Sequence, residues 1–134
     1  MHQHHRGYGL IELAVAISLI ALLASIAVPT YQRVVRKTHR SSAIAALMEL
    51  HLRQEKYRAD NAAYATALTQ LGTPGGDVAD YYSLSIAAST ATSNTLRADA
   101  RSTGNQNADA QGDVSCARLE IDQSGTRTPA ACWR

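Results

Sequence analysis

The chain has 134 residues, 18% of them charged, with a formal net charge of +2 and two cysteines. One folded unit is the expectation at this length, and so small a positive charge does not by itself imply a nucleic-acid partner. Phe is absent and aromatic residues make up 5%, so a soluble core must be built from Leu, Ile, Val, Ala and a few Tyr, and a core of that kind in a domain of under about 80 residues is marginal without a staple.

From Leu10 to Val28 the only charged residue is Glu12, and the polar remainder is Ser18 and Ser25. About nineteen residues is near the minimum that spans hydrocarbon, and the Leu, Ile and Ala content favours a helix. Glu12 stands out because an ionised carboxylate in hydrocarbon costs about 2.5 kcal/mol or more on insertion scales; an acid so placed calls for a partner and a function. Pro29 lies where the run ends, and its missing N–H costs the helix the bond to the Ser25 carbonyl, which predicts a kink or a stop. Three plain readings compete: a cleaved secretory signal with Ser25-Ile26-Ala27 as a small-x-small site, a single-pass anchor, and a buried core helix. The first two leave Glu12 unexplained, and the rest of the chain is too small to cover the third.

Gly7-Tyr8-Gly9-Leu10-Ile11-Glu12 resembles the type IV prepilin (class III) signal, whose usual form is Gly-Phe-Thr-Leu-Ile-Glu. Ala27-Val28-Pro29-Thr30-Tyr31 is similar to the Ala-Ile-Pro-x-Tyr that follows the apolar run in many pilins. The resemblance implies cleavage between Gly7 and Tyr8 by a prepilin peptidase on the cytoplasmic side, N-methylation of Tyr8, and an assembly role for Glu12, the fifth residue of the mature chain. Tyr8 and Gly9 depart from the usual Phe and Thr but keep an aromatic ring and a small residue. Loss of residues 1–7 removes Arg6 and three of the five histidines, leaving 12 Lys+Arg against 11 Asp+Glu. The new amine at Tyr8 and the Glu12 carboxylate lie one helical turn apart, so pairing within one chain or between neighbours offsets part of the desolvation of both. The implied role is a register device between subunits, with no catalysis. Counting cations around the run gives Arg6 before it and Arg33, Arg36, Lys37 and Arg40 after it, which by the positive-inside rule alone places the N-terminus outside. The processing motif overrides that count and places it in the cytoplasm.

Beyond Pro29, Thr30 to about Arg58 holds no Gly or Pro and predicts a continued helix. Ile44, Leu47, Met48 and Leu52, with small Ala45 between, mark a face that needs cover, and Arg36, Arg40, Glu49, Arg53 and Lys56 are expected on the opposite side. Such a helix, continuous from Tyr8, would be about 75 Å long. The expected organisation is a leader 1–7, a long helix 8–59 with an apolar half 8–29 and an amphipathic half 30–59, and a head 60–134. Arg33-Arg36-Lys37-Arg40 reads as a solvated or headgroup-contacting face. His51 reads as a surface or packing residue.

In the head, Asp60-Asn61 breaks the helix, Asn61 to Gly72 reads as a loop and a short helix capped by Thr66 and ended by Gly72, and Thr73 to Asp77 as a turn. Tyr81-Tyr82-Ser83-Leu84-Ser85-Ile86 and Thr95 to Ala100 alternate as strands. Ser102 to Gly112 reads as an exposed, mobile loop. Cys116 to Ile121 is a third strand, Asp122 to Gly125 a turn and Thr126 to Thr128 a fourth strand. Cys116 and Cys132 favour a disulfide over two free thiols, since two Cys with no His nearby in sequence cannot complete a zinc site. A bridge implies an oxidising compartment. Trp133 reads as a packing lid.

The order of these pieces is similar to that of small PilE-type minor pilins, in which a Tyr-rich segment precedes Tyr-Tyr-x-Leu-x-Ile and a late Cys-x-x-Leu-x-Ile, with Cys-Trp at the end. The fold class expected is α+β, a pilin fold with a long N-terminal helix packed on a small antiparallel sheet of about four strands and a C-terminal disulfide loop. No phosphate-binding, zinc-protease or serine-hydrolase motif is present, so no enzyme, catalytic residue, metal or cofactor is expected. The function implied is a structural subunit, most simply a minor one, of a type IV pilus for motility, adhesion or DNA uptake. Its partners would be other pilin subunits, the prepilin peptidase, an inner-membrane assembly platform and, before assembly, the lipid bilayer. Location follows: inner membrane with the head periplasmic, then the extracellular pilus. Two alternatives share the architecture: a DNA-uptake pilin using Arg97, Arg101, Arg118, Arg127 and Arg134 for phosphate contacts, and a minor pseudopilin of type II secretion.

Overall fold

The computed structural model describes residues 9–134. They divide into two units, one ending at Val34 and one from Val35 to Arg134, although a single helix, α1 (Leu10–Asp60), belongs to both. In the first unit the apolar side chains are exposed on every side of the helix. The Ser18, Ser25 and Thr30 hydroxyls donate back to the Ala14, Leu22 and Ile26 carbonyls, so the polar side chains of this stretch satisfy themselves locally. The helix does not stop at Pro29, which lies inside it. Among the described residues α1 is long and apolar enough to cross a membrane.

In the second unit α1 buries Arg40, Ala43, Ala46, Leu47, Leu50 and Gln54, a stripe spaced at three and four residues. This face is turned from the expected one. Leu47 is central as expected and Ile44 and Met48 flank it, but Leu50 takes the place of Leu52, which is 68% exposed. The small Ala43 and Ala46 share this face with the fully buried Leu47 and Leu50, and Ile44 and Met48 are half-buried beside them. Arg40, expected among the solvated cations, is 1% exposed.

Two one-turn helices follow, α2 (Leu68–Leu71) and α3 (Val78–Tyr81). α3 was not expected, and it takes Tyr81 out of the first strand. Gln54 fixes the intervening loop by pairing both ways with the Ala65 backbone: Nε2 donates to the carbonyl at 3.0 Å and Oε1 accepts from the amide at 2.9 Å. The cap of α2 comes from Gln70 rather than Thr66, because Gln70 Oε1 accepts from the Thr66 and Ala67 amides. Arg53 Nη1 then donates to the Leu71 and Gly72 carbonyls and closes the helix.

The sheet is an antiparallel meander in the order β1 (Tyr82–Ser89), β2 (Asn94–Ala100), β5 (Arg118–Asp122), β6 (Arg127–Thr128). The expected third strand loses Cys116 and Ala117, which lead into it, and the fourth loses Thr126. The shift between Ile86 and Ala88 marks a bulge at Ala87. Tyr82, Leu96, Ala98, Leu119 and Ile121 pack on the α1 stripe as one core.

The segment 102–112 is not simply an exposed loop. It makes a tight turn at Thr103–Ala108, with Gly104 and Asn105 at φ 59° and 58°, then a hairpin of β3 (Ala110–Gln111) and β4 (Val114–Ser115). Gln106 and Asp109 are buried within it. Cys116 and Cys132 form a disulfide with Cα atoms 5.7 Å apart. A final 3-10 turn, Ala130–Trp133, carries the second cysteine, and Trp133 packs half-buried against the core.

Candidate functional site

Of the positions singled out in the sequence, Gly7 and Tyr8 lie outside the described residues. Glu12 sits in the first turn of α1, where a carboxylate also complements the positive end of the helix dipole. An open apolar groove lined by Leu23, Ile26, Ala27, Thr30, Tyr31 and Val34 flanks Pro29. Among the described residues nothing in this unit covers the large apolar side chains from Leu10 to Val34.

On the head, the five arginines fall into two groups. Arg97 Nε pairs with Glu120 at 2.6 Å, and Arg118 Nε with Asp99 at 2.7 Å, across neighbouring strands. These cations are locally neutralised, and the Asp99 hydrogen bond pushes the Arg118 guanidinium pKa up. Arg101, Arg127 and Arg134 are exposed and in no ion pair among the described residues. Arg127 lies over the half-buried Trp133 ring, 5.5 Å from its centroid, so the two make one cationic and aromatic edge. The Trp133 indole donates to the Thr128 carbonyl. A groove of about 460 Å³ between the β2–β5 edge and the disulfide loop is lined by Asp99, Ala100, Ser115, Ala117, Arg118, Thr128 and Pro129. It brings the Arg118 pair beside the C-terminal loop.

A buried polar network that no sequence pattern signals joins α1 to the 103–111 segment. Arg40 donates through Nη1 to Asp109 Oδ2 at 2.9 Å and through Nη2 to Gln111 Oε1 at 3.0 Å. Gln106 Nε2 donates to the Arg36 carbonyl and to the Tyr82 hydroxyl, both at 3.0 Å. Burial raises the Tyr82 pKa, with the Gln106 contact working against that rise. The Cys116 amide donates to the Asp109 carbonyl at 2.9 Å, so the first cysteine is tied to the same network. Partners 69 residues apart leave no local pattern to read. Asp122 closes the β5–β6 turn by accepting from Ser124 and Thr126, and the Ser124 hydroxyl leads the contacts that lower its pKa. His51 is half-buried with its Nδ1 unpaired among the described residues.

A lone acid opening an uncovered apolar helix, the continuation of that helix laid on a four-stranded meander, and a disulfide pinning the C-terminal loop together define a type IV pilin. Residues 29–120 match a family described as "Type IV minor pilin ComP, DNA uptake sequence receptor", and residues 2–28 match the prokaryotic N-terminal methylation motif. The chain belongs to this minor pilin family. It is 31% identical over 111 residues to the fimbrial protein EcpC of Eikenella corrodens, covering 78% of this chain and 68% of that one. It is also 31% identical over 72 residues to the type II secretion system core protein G of Dickeya chrysanthemi, covering 54% of this chain and 47% of that protein; the chain thus spans less than half the length of that relative. A solved type IV pilin from Shewanella oneidensis shares the fold, with a TM-score of 0.53 at 20% identity over 74% of this chain and 98% of that one.

Proposed function

We propose that this pilin is a DNA-binding minor subunit of a type IV pilus. It is made as a precursor in the inner membrane with its head in the periplasm. A prepilin peptidase cuts it between Gly7 and Tyr8, and the new Tyr8 amine is methylated. An assembly platform then moves it into the fibre, where Glu12 meets the amine of a neighbouring subunit and Pro29 bends the helix between its apolar and amphipathic halves. In the fibre the uncovered apolar side chains trade lipid for equivalent helices.

The observation that carries the DNA reading is membership, over most of the head, of a family described as a DNA uptake sequence receptor. Supporting it are the three exposed arginines that no carboxylate neutralises among the described residues and the Arg127–Trp133 edge, since phosphate contacts supply affinity and an aromatic face can stack a base. A gel shift with the head, residues 35–134, and duplex DNA tests it. Three phosphate contacts predict a slope of about −0.9 per contact in log affinity against log salt, or roughly a 40-fold loss between about 50 and 200 mM. Arg101→Ala and Arg127→Ala should each flatten that slope by about one. Absence of binding at the lower salt concentration rejects the reading. The similarity to the secretion core protein favours a second reading, a minor pseudopilin, for which loss of the chain would abolish protein secretion and leave DNA uptake intact.

A further inference from the structure

Four cations stand just beyond the apolar run, and the head accounts for only one of them among the described residues. From Leu13 to Met48 the chain contains no Asp or Glu, and its four cations in that stretch are Arg33, Arg36, Lys37 and Arg40. They fall within an arc of about 100° on a helix. The last of the four turns into the head and is neutralised by Asp109. The other three make no ion pair and no side-chain hydrogen bond among the described residues, and Arg33 and Lys37 are exposed. The structure therefore separates one structural cation from three unspent ones.

We infer that Arg33, Arg36 and Lys37 bind the anionic headgroups of phospholipids while the subunit waits in the membrane; this rests on the membrane-anchored state proposed above. The spacing argues for it. Leu10 to Val28 rises about 27 Å, close to the roughly 30 Å of hydrocarbon in a bilayer. Tyr31 and Arg33 then stand about 4.5 and 7.5 Å beyond Val28, inside a headgroup layer of roughly 5–7.5 Å on each side. Tyr31, 70% exposed, is the amphipathic ring that favours this depth. Arg36 and Lys37 start about 12 to 13.5 Å beyond Val28, but helical side chains lean toward the N-terminus, and long cationic stems reach back to phosphate. With no carboxylate in the stretch to compete, a phosphate is the counter-ion at that depth. The same contacts account for cations on the far side of the span, where charge counting disfavours them: they anchor to that leaflet.

The test reconstitutes the full chain and its Arg33→Gln/Arg36→Gln/Lys37→Gln variant in bilayers of phosphatidylcholine with about a third phosphatidylglycerol. Spin-labelled lipids report which headgroup is held against the protein. The wild type should restrict phosphatidylglycerol several-fold more than phosphatidylcholine, and the variant should restrict both alike. High salt should weaken the wild-type preference. Equal restriction of the two lipids by the wild type, or an unchanged preference in the variant, overturns the assignment. So does loss of DNA binding by the variant with lipid preference intact, which would give the face to nucleic acid. Carbonate washing reports the anchored state separately: a chain that washes out of the bilayer overturns that reading and this one with it, whereas an inserted chain without headgroup preference overturns this one alone.

Discussion

Arg40 and Asp109 meet inside the head with 2% and 4% of their side chains exposed, and Gln111 takes a second guanidinium donor. Water no longer solvates either charge, so each depends on the other. Removing one partner of such a pair costs about 3–5 kcal/mol, because the survivor is left buried and uncompensated. Asp109→Ala should therefore cost the head that much in chemical denaturation. Arg40→Met with Asp109→Leu should recover most of the loss, since an apolar pair of similar volume carries no desolvation penalty. Arg118→Ala breaks a shorter contact, to Asp99 at 2.7 Å, yet both side chains there face solvent, where water screens the pair, so the change should leave the denaturation midpoint nearly unmoved. A head that loses as much from Arg118→Ala as from Asp109→Ala would show that burial is not what separates the two pairs.

The disulfide acts on elements. It closes a span of 16 residues that holds β5, the Asp122 turn, β6 and the last 3-10 turn. β6 is two residues long, too short to hold itself in place. Constraining a loop of this length in the unfolded chain stabilises by roughly 3 kcal/mol, a large share for so small a core. Cys116→Ser/Cys132→Ser should lower stability by about 2–4 kcal/mol, and reductant should then have no further effect on the denaturation midpoint. The main elements were legible where one physical signal repeats: Leu96 and Ala98, Leu119 and Ile121 alternate as half-buried strands do. The Asp122-Gln-Ser-Gly125 turn was legible from its chemistry. The 103–111 segment was not, because its Asn, Gln and Asp composition is that of a solvated loop, and it is Arg40, the Arg36 carbonyl and Tyr82, distant in sequence, that turn its polar groups inward. Leu50 and Leu52 could not be ranked from spacing alone, since both fit a helical stripe and the choice falls to which of them shares the buried face of Ala43 and Ala46. For the candidate site, the five arginines were legible as a set, but which of them Asp99 and Glu120 neutralise depends on strand register.

At the scale of the whole molecule, the uncovered helix and the single acid at its start make one argument. Glu12 is the only acid before Glu49, and the large apolar side chains of Leu10 to Val34 that surround it along the helix are exposed. In a fibre of such helices an unpaired carboxylate costs about 2.5 kcal/mol or more, so subunits set at the wrong axial offset are penalised by a factor of tens. On the processing proposed above, the offset that brings Glu12 to the new Tyr8 amine would escape that penalty. Glu12→Ala removes both the cost and the signal. It should leave the proposed cleavage intact, so that by mass spectrometry the variant and the wild type begin at the same methylated residue, Tyr8 on this reading. Incorporation should fall at least about tenfold when the sheared-fibre and membrane fractions are compared by immunoblot. A variant found in fibres at the wild-type level would show that the carboxylate sets no register, and the acid in the apolar run would then need another partner.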